Sequence, residues 1–372
     1  MNKRFVAIVI ALLSFVGPAA WAADDVVIGA GFVLSGDFAS YGTDARVGID
    51  LAVDELNAAG GVLGRRLKVE YVDTLADRAK AVAHYRKFAA RPEVAMFLSI
   101  SSIEFVALDP VAAEVKLPFI SVGSAAPFPK FSPYSFRIQL IVNKAMGPVL
   151  GRLKELRGLR TVSVMYATDN TYNVGEMESV KAAVPGVGLQ LSDVESFKRG
   201  DQDFSLQLTR IKTREPDLLY VAATTDEAAL IISQSRALGV KSLILGGAGF
   251  NDPRVADLPG KAARGIMTFF PFDATDPRPI VQGFVRLYRT KYGRDKTPPA
   301  YVALGYDAAR LVADAVRRAG SPDREAVRTA LGSTKRLEGV NGFFSYDGSG
   351  DNLEQKPTIF VMGDKGYERL TK

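Results

Sequence analysis

The chain has no cysteine in its 372 residues. Disulfides, thiolate metal sites and cysteine nucleophiles are therefore excluded. It has a single histidine, His84, in the helical stretch AVAHYRKF. A Ser-His-Asp triad would have to use that residue, and a mid-helix histidine away from any strand-end loop reads as an ordinary helix side chain. No G-x-S-x-G elbow, H-E-x-x-H pair or phosphate-binding loop occurs. Gly29-Ala30-Gly31 and Gly247-Ala248-Gly249 each resemble half of a dinucleotide fingerprint but lack the third glycine. They read as tight strand-end turns. No group of side chains has metal-ligand spacing, so neither a metal nor a cofactor is expected. The only tryptophan is Trp21. The formal net charge of +6 includes Lys3 and Arg4 and is spread along the chain. With no aromatic-interleaved basic stretch, nucleic-acid binding is not expected.

Long apolar runs are also scarce. The longest lies at the start, where Lys3 and Arg4 precede an apolar run, Phe5 to Val16, and an A-x-A site, Ala20-Trp21-Ala22. This reads as a secretory signal peptide, residues 1–22, cleaved after Ala22. The run is too short to span a bilayer comfortably. No cysteine follows the cleavage site, which excludes a bacterial lipoprotein anchor. The product is expected in the periplasm if the source is Gram-negative.

The chain is long enough for two domains with real cores. Its first segment sets the pattern. An apolar run, Val26 to Val33, meets a turn cluster at Ser35-Gly36-Asp37. A helix follows, with Ile49, Ala52, Val53 and Leu56 at i, i+3, i+4 and i+7. Gly60-Gly61 ends it, and a second strand, Leu67 to Val72, returns. This is a right-handed βαβ unit with parallel strands. The loop after its first strand, Ser35 to Tyr41, lies at the carboxyl edge of the sheet, where open α/β sheets bind ligands. Strand and helix alternate through the rest of the chain, with a fresh series after residue 139. The expected fold class is α/β: two similar Rossmann-like lobes with parallel sheets, joined by a three-crossover hinge. The expected division is 23–139 plus 271–342 for one lobe and 140–270 plus 343–372 for the other. Such lobes enclose a cleft and close on a ligand.

The strand-end loops carry the binding signals. Ser99, Ser101 and Ser102 sit between a strand and a helix, where hydroxyls and free N–H groups suit an anion such as a carboxylate. Simple N-capping by Ser101 or Ser102 is the alternative. Gly123-Ser124-Ala125-Ala126-Pro127 follows the next strand at the same sheet edge. Tyr41 and Tyr172 stand at loop-to-helix junctions, one in each series.

These segments carry a resemblance. LSGDFASYG, DELNAAGGVLGRRLKV, SISS, PFISVGSAAP and DNTYNVGE resemble the leucine/isoleucine/valine-binding protein family, over nearly the whole chain from Val26 to about Phe360. Its members are periplasmic solute-binding proteins of ABC importers, with the type I two-lobed fold. The resemblance implies a non-enzymatic receptor that delivers a small solute to membrane permease subunits. It also implies a pocket of Tyr41, Ser102, the Gly123, Ser124 and Ala125 loop, Tyr172 and Tyr301, with Ser101 beside them. Two departures are visible. Family members that bind aliphatic amino acids usually carry an aromatic where Thr224 or Thr225 stands. They also carry a glutamate for the ligand ammonium, at a position that falls near Ala248, and Asp226 and Asp252 are the nearest acidic replacements. The carboxylate-binding half is kept and the ammonium-binding half is altered, so the expected ligand is a carboxylate-bearing solute, an aromatic or other organic acid or an amino acid. A ligand sensor for a signalling partner and a secreted hydrolase are the alternatives.

Overall fold

The computed structural model describes residues 25–36, 38–127, 132–346 and 348–371. The expected signal peptide lies outside them, as does Asp37 of the first binding loop. In chain order the first series is β1 (Val26–Phe32), α1 (Ala39–Ala58), β2 (Leu67–Asp73), α2 (Arg78–Ala89), β3 (Val94–Ser99), α3 (Ser102–Val115), β4 (Phe119–Ser121) and β5 (Ser135–Arg137). Its five strands form one parallel sheet in the order β2-β1-β3-β4-β5. β1, β3, β4 and β5 are buried on both faces, as parallel strands are, while the edge strand β2 is half-buried. Val26, Ile28, Ala30 and Phe32 enter one core, while Val27 enters the core on the opposite face.

The second series is α4 (Val142–Arg157), β6 (Thr161–Ala167), α5 (Thr171–Gly186), β7 (Gln190–Phe197), α6 (Ser205–Arg214), β8 (Leu218–Ala222), α7 (Thr225–Ala237), β9 (Leu243–Gly246) and β10 (Met267–Phe270). Three short 3-10 turns between residues 248 and 263 separate β9 from β10. The chain then returns to the first lobe with α8 (Pro279–Tyr292), α9 (Ala300–Ala319) and α10 (Arg324–Gly332), followed by a small ribbon of β11 (Leu337–Gly339) and β12 (Gly342–Phe344). It ends in the second lobe with β13 (Thr358–Gly363) and β14 (Gly366–Arg369). The second sheet runs β14-β13-β10-β9-β8-β6-β7.

Two details differ from the sequence expectation. The second sheet is not wholly parallel, because β13 pairs antiparallel with β10 and with β14. The two-residue turn Asp364-Lys365 permits only a hairpin, since parallel neighbours need a long crossover. The last passage between lobes also comes later than residue 342. Phe344 and Tyr346 sit in the first lobe's core, so the chain leaves that lobe after Tyr346.

The passages are tied together. Arg137, at the end of β5, is 1 % exposed and donates to Asp351 at 2.8 Å and to the Ala126 carbonyl. Tyr346 donates to the Arg137 carbonyl at 3.2 Å. The first and last passages thus share one buried ion pair, which is costly to break from one side.

Candidate functional site

The carboxyl ends of β1, β3 and β4 in one lobe face those of β6, β8 and β9 in the other. Between them lies a chamber with about 630 Å³ of empty space, part of it open to solvent. Val33 and Ile100 to Ile103 line it from lobe 1, together with Gly123. Asn170, Tyr172, Asn173, Thr224, Ala248 and Gly249 line it from lobe 2. Among the described residues no charged side chain lines this chamber. A wider mouth, bounded by Arg78, Asp169 and Arg199, opens beside it.

The start of α3 forms the polar corner. Ser101 is its N-cap: its hydroxyl accepts the Glu104 N–H at 3.2 Å, and the Glu104 carboxyl accepts the N–H groups of Ile100 and Ser101 at 3.0 and 3.1 Å. This capping box explains Ser101 without a ligand. It leaves the N–H groups of Ser102 and Ile103, in the first turn, without an intrahelical acceptor. The Ser102 hydroxyl lies on the chamber wall, 3.2 Å from the Ser124 hydroxyl, and accepts the Ala126 N–H at 3.4 Å. Ser124 and Ala125 are fully buried and lie behind the wall, so Ser124 supports Ser102. Gly123 is on the wall. A Cβ there would meet the Ile100 carbonyl at 2.3 Å and the Tyr301 ring at 3.0 Å, so only glycine lets this loop approach.

Aromatic rings form another side. Tyr41 and Tyr301, in the first turns of α1 and α9, pack with ring centroids 4.8 Å apart. The Tyr41 hydroxyl meets the Thr225 hydroxyl at 3.2 Å across the cleft. Thr225 is therefore an interlobe contact behind the wall, while Thr224, the N-cap of α7, lines the wall. Burial raises the pKa values of Tyr41, Tyr172 and Tyr301 well above the ordinary tyrosine value, so all three remain neutral donors.

The acids at the cleft are placed differently from the sequence expectation. Asp226 is exposed. Asp252 accepts from Arg254 at 2.7 Å, and that guanidinium also donates to Ser40 at 3.0 Å at the rim. Burial opposes ionisation of Asp252, but the Arg254 hydrogen bonds outweigh it and hold its pKa below the usual value. Neither acid lines the chamber. An acid that sequence reading passed over, Glu176 in α5, stands beside Gly247, the residue before Ala248. It is 1 % exposed and accepts from Tyr220 at 2.7 Å and from the Asn173 amide at 3.0 Å. A Cβ at Gly247 would lie 1.7 Å from its Oε1, so the glycine before Ala248 makes room for this carboxyl. Burial pushes its pKa up to about 7, against the lowering effect of Tyr220, Asn173 and Tyr172. The only sequence signals were the small residues Gly175 and Ser179 flanking it in α5 and the i, i+3 spacing from Asn173.

A family model described as "Periplasmic binding protein" matches residues 25–366. The Leu/Ile/Val-binding protein homolog 1 of Brucella abortus is 26 % identical over 343 residues, which are 92 % of this chain and 90 % of that protein. The leucine-, isoleucine-, valine-, threonine- and alanine-binding protein of Pseudomonas aeruginosa is 24 % identical, over 89 % of this chain and 88 % of its own. A crystal structure of a leucine-binding protein from Thermotoga maritima superposes with a TM-score of 0.86 at 27 % identity, covering 93 % of this chain and 98 % of that one. The LivJ substrate-binding protein of Streptococcus pneumoniae, solved with isoleucine, gives 0.81 at 26 % identity, covering 92 % and 98 %.

Proposed function

Because the chain belongs to the periplasmic binding protein family, in the group of the Leu/Ile/Val-binding proteins, we propose that it is the exported receptor of an ABC importer for a carboxylate-bearing solute. Members of this family bind solutes and do not transform them. The carboxylate is held by Ser102, the N–H groups of Ser102 and Ile103, and the Gly123 loop. The solute body lies against Tyr41, Tyr172 and Tyr301. One observation carries the choice of ligand: the chamber wall has no charged side chain among the described residues. A buried ammonium without a paired carboxylate is strongly disfavoured. An aromatic or other organic acid therefore suits this wall better than an aliphatic α-amino acid.

The second reading, a branched-chain amino acid, is favoured by Glu176, one layer behind Asn173 and Tyr172. A thermal-shift screen separates the two. Aromatic and short-chain carboxylates are expected to raise the melting temperature more than leucine, isoleucine or valine. Strong stabilisation by the amino acids and none by the acids would overturn the first reading. On export, the intact mass should correspond to a chain starting at Ala23.

A further inference from the structure

We infer that Asn173 reads a hydrogen-bond donor on the solute, so that the bound carboxylic acid also carries a hydroxyl or N–H group toward lobe 2. This rests on the carboxylate-receptor reading above and narrows its ligand class. Asn173 lies in the first turn of α5, lines the chamber and is 1 % exposed. Its amide nitrogen donates to Glu176 Oε2 at 3.0 Å. The other Glu176 oxygen accepts the Tyr220 hydroxyl at 2.7 Å. The carboxyl is thus surrounded by donors. Above the raised pKa of Glu176, where it is ionised, turning the Asn173 amide over would set its carbonyl against a carboxylate oxygen, two acceptors with nothing between them. Glu176 therefore fixes which end of the amide faces away from it.

The end left over is Oδ1, which has no hydrogen-bond partner in the protein. Buried acceptors are rarely left unpaired, because desolvation is not then repaid. Asn173 stands on the wall of the chamber, so the bound solute is the natural source of the missing donor. A wall built this way also discriminates. A ligand lacking the donor leaves Oδ1 unpaired in the closed cleft, and sites that hydrogen-bond a ligand group reject analogues without it far more strongly than apolar pockets sort by size.

The test uses two matched pairs measured by titration calorimetry: 4-hydroxybenzoate against benzoate, and leucine against 4-methylpentanoate. Within each pair the members differ by a neutral hydroxyl or by an ammonium. In the wild-type protein the donor-bearing member of one pair should bind about tenfold more tightly. Asn173→Ala and Asn173→Leu should each bring the two members of that pair to within about twofold of one another. Retained binding of the donor-free member reports that a variant is folded. If both variants fail to fold, the wild-type comparison still decides. Equal wild-type affinities within both pairs, or a gap that survives both substitutions, would overturn the inference while leaving the carboxylate reading intact. Binding of none of the four probes would overturn both. The pair that shows the gap identifies the donor as a neutral hydroxyl or an ammonium.

Discussion

Ser102 and Ser124 carry the same chemistry on neighbouring loops, yet only Ser102 stands on the chamber wall. Ser102→Ala should remove a hydrogen bond to a charged ligand group, on the order of 1.5–3 kcal/mol, and weaken carboxylate binding by about tenfold to a hundredfold. Ser124→Ala acts only through Ser102 and should cost less. Equal losses in calorimetry would show that Ser124 touches the ligand itself. Glu176 gives a second prediction. Its folded pKa, raised by burial to about 7, exceeds the ordinary glutamate value of 4.5. The folded protein therefore holds a proton that the unfolded chain has released, and stability falls as pH rises through that window. The slope from this one group is at most about 1.4 kcal/mol per pH unit. Asp44 and Asp307 are also raised, each to about 6 and mainly by burial, so the difference between wild type and Glu176→Gln is the quantity to measure. Urea denaturation at about pH 5 and about pH 8 should show a shallower decline in the variant; parallel declines would rule Glu176 out as the source. The residues legible beforehand were those at strand ends, Tyr41, Ser102, Gly123 and Tyr172, because topology sends every such loop to one sheet edge. Asn173 and Glu176 lie inside α5, and whether a helical polar residue faces solvent or the cleft depends on packing that local sequence does not reveal.

At the level of elements, alternating strand and helix patterns placed the two lobes, because each parallel strand is a short apolar run followed by an amphipathic helix. The 3-10 turns after β9 escaped that reading, since GGAGFNDP has neither period. Their geometry is set by contact: Gly249 has no room for a Cβ, which would meet the Ala223 carbonyl at 2.2 Å. The terminal hairpin escaped it as well, since its last strand continues no helix-strand series. The contact between α1 and α9 was equally invisible, because their residues are more than two hundred positions apart. There Gly48 and Gly305 let two backbones meet. A Cβ at Gly48 would lie 1.9 Å from the Val302 carbonyl, and one at Gly305 would lie 1.9 Å from the Ala45 carbonyl. Neither obstacle is a flexible side chain, so Gly305→Ala forces the helices apart. Overpacking of this kind costs about 1–3 kcal/mol. Both helices carry a chamber tyrosine in their first turn, so the variant should lose thermal stability and ligand affinity together. A melting temperature equal to wild type would show that the helices separate without cost.

Across the whole molecule, the lobes meet at the chamber rim through side-chain contacts between them. Tyr41 of lobe 1 bonds Thr225 of lobe 2 at 3.2 Å, Arg254 of lobe 2 donates to Ser40 at 3.0 Å, and the Arg199 guanidinium lies 5.7 Å from the Phe38 ring centroid. A ligand that touches both lobes stabilises this arrangement over an open one, so its binding and the closure are linked. Small-angle scattering should accordingly record a smaller radius of gyration on addition of a binding carboxylate. The rim contacts contribute to the same equilibrium without touching the ligand. Arg254 is exposed and Ser40 half-buried, and removing such a polar contact costs roughly 0.2–1 kcal/mol. Ser40→Ala should therefore weaken binding by at most about fivefold. Most of that loss should appear as faster dissociation, because the encounter with the open cleft does not involve the rim bond. Arg254→Ala also frees Asp252, so Ser40→Ala is the cleaner probe of the latch. Stopped-flow measurement of association and dissociation separates the two rates. A Ser40→Ala protein that binds and releases at wild-type rates, with an unchanged radius at saturation, would mean that the rim contacts do not hold the closed form.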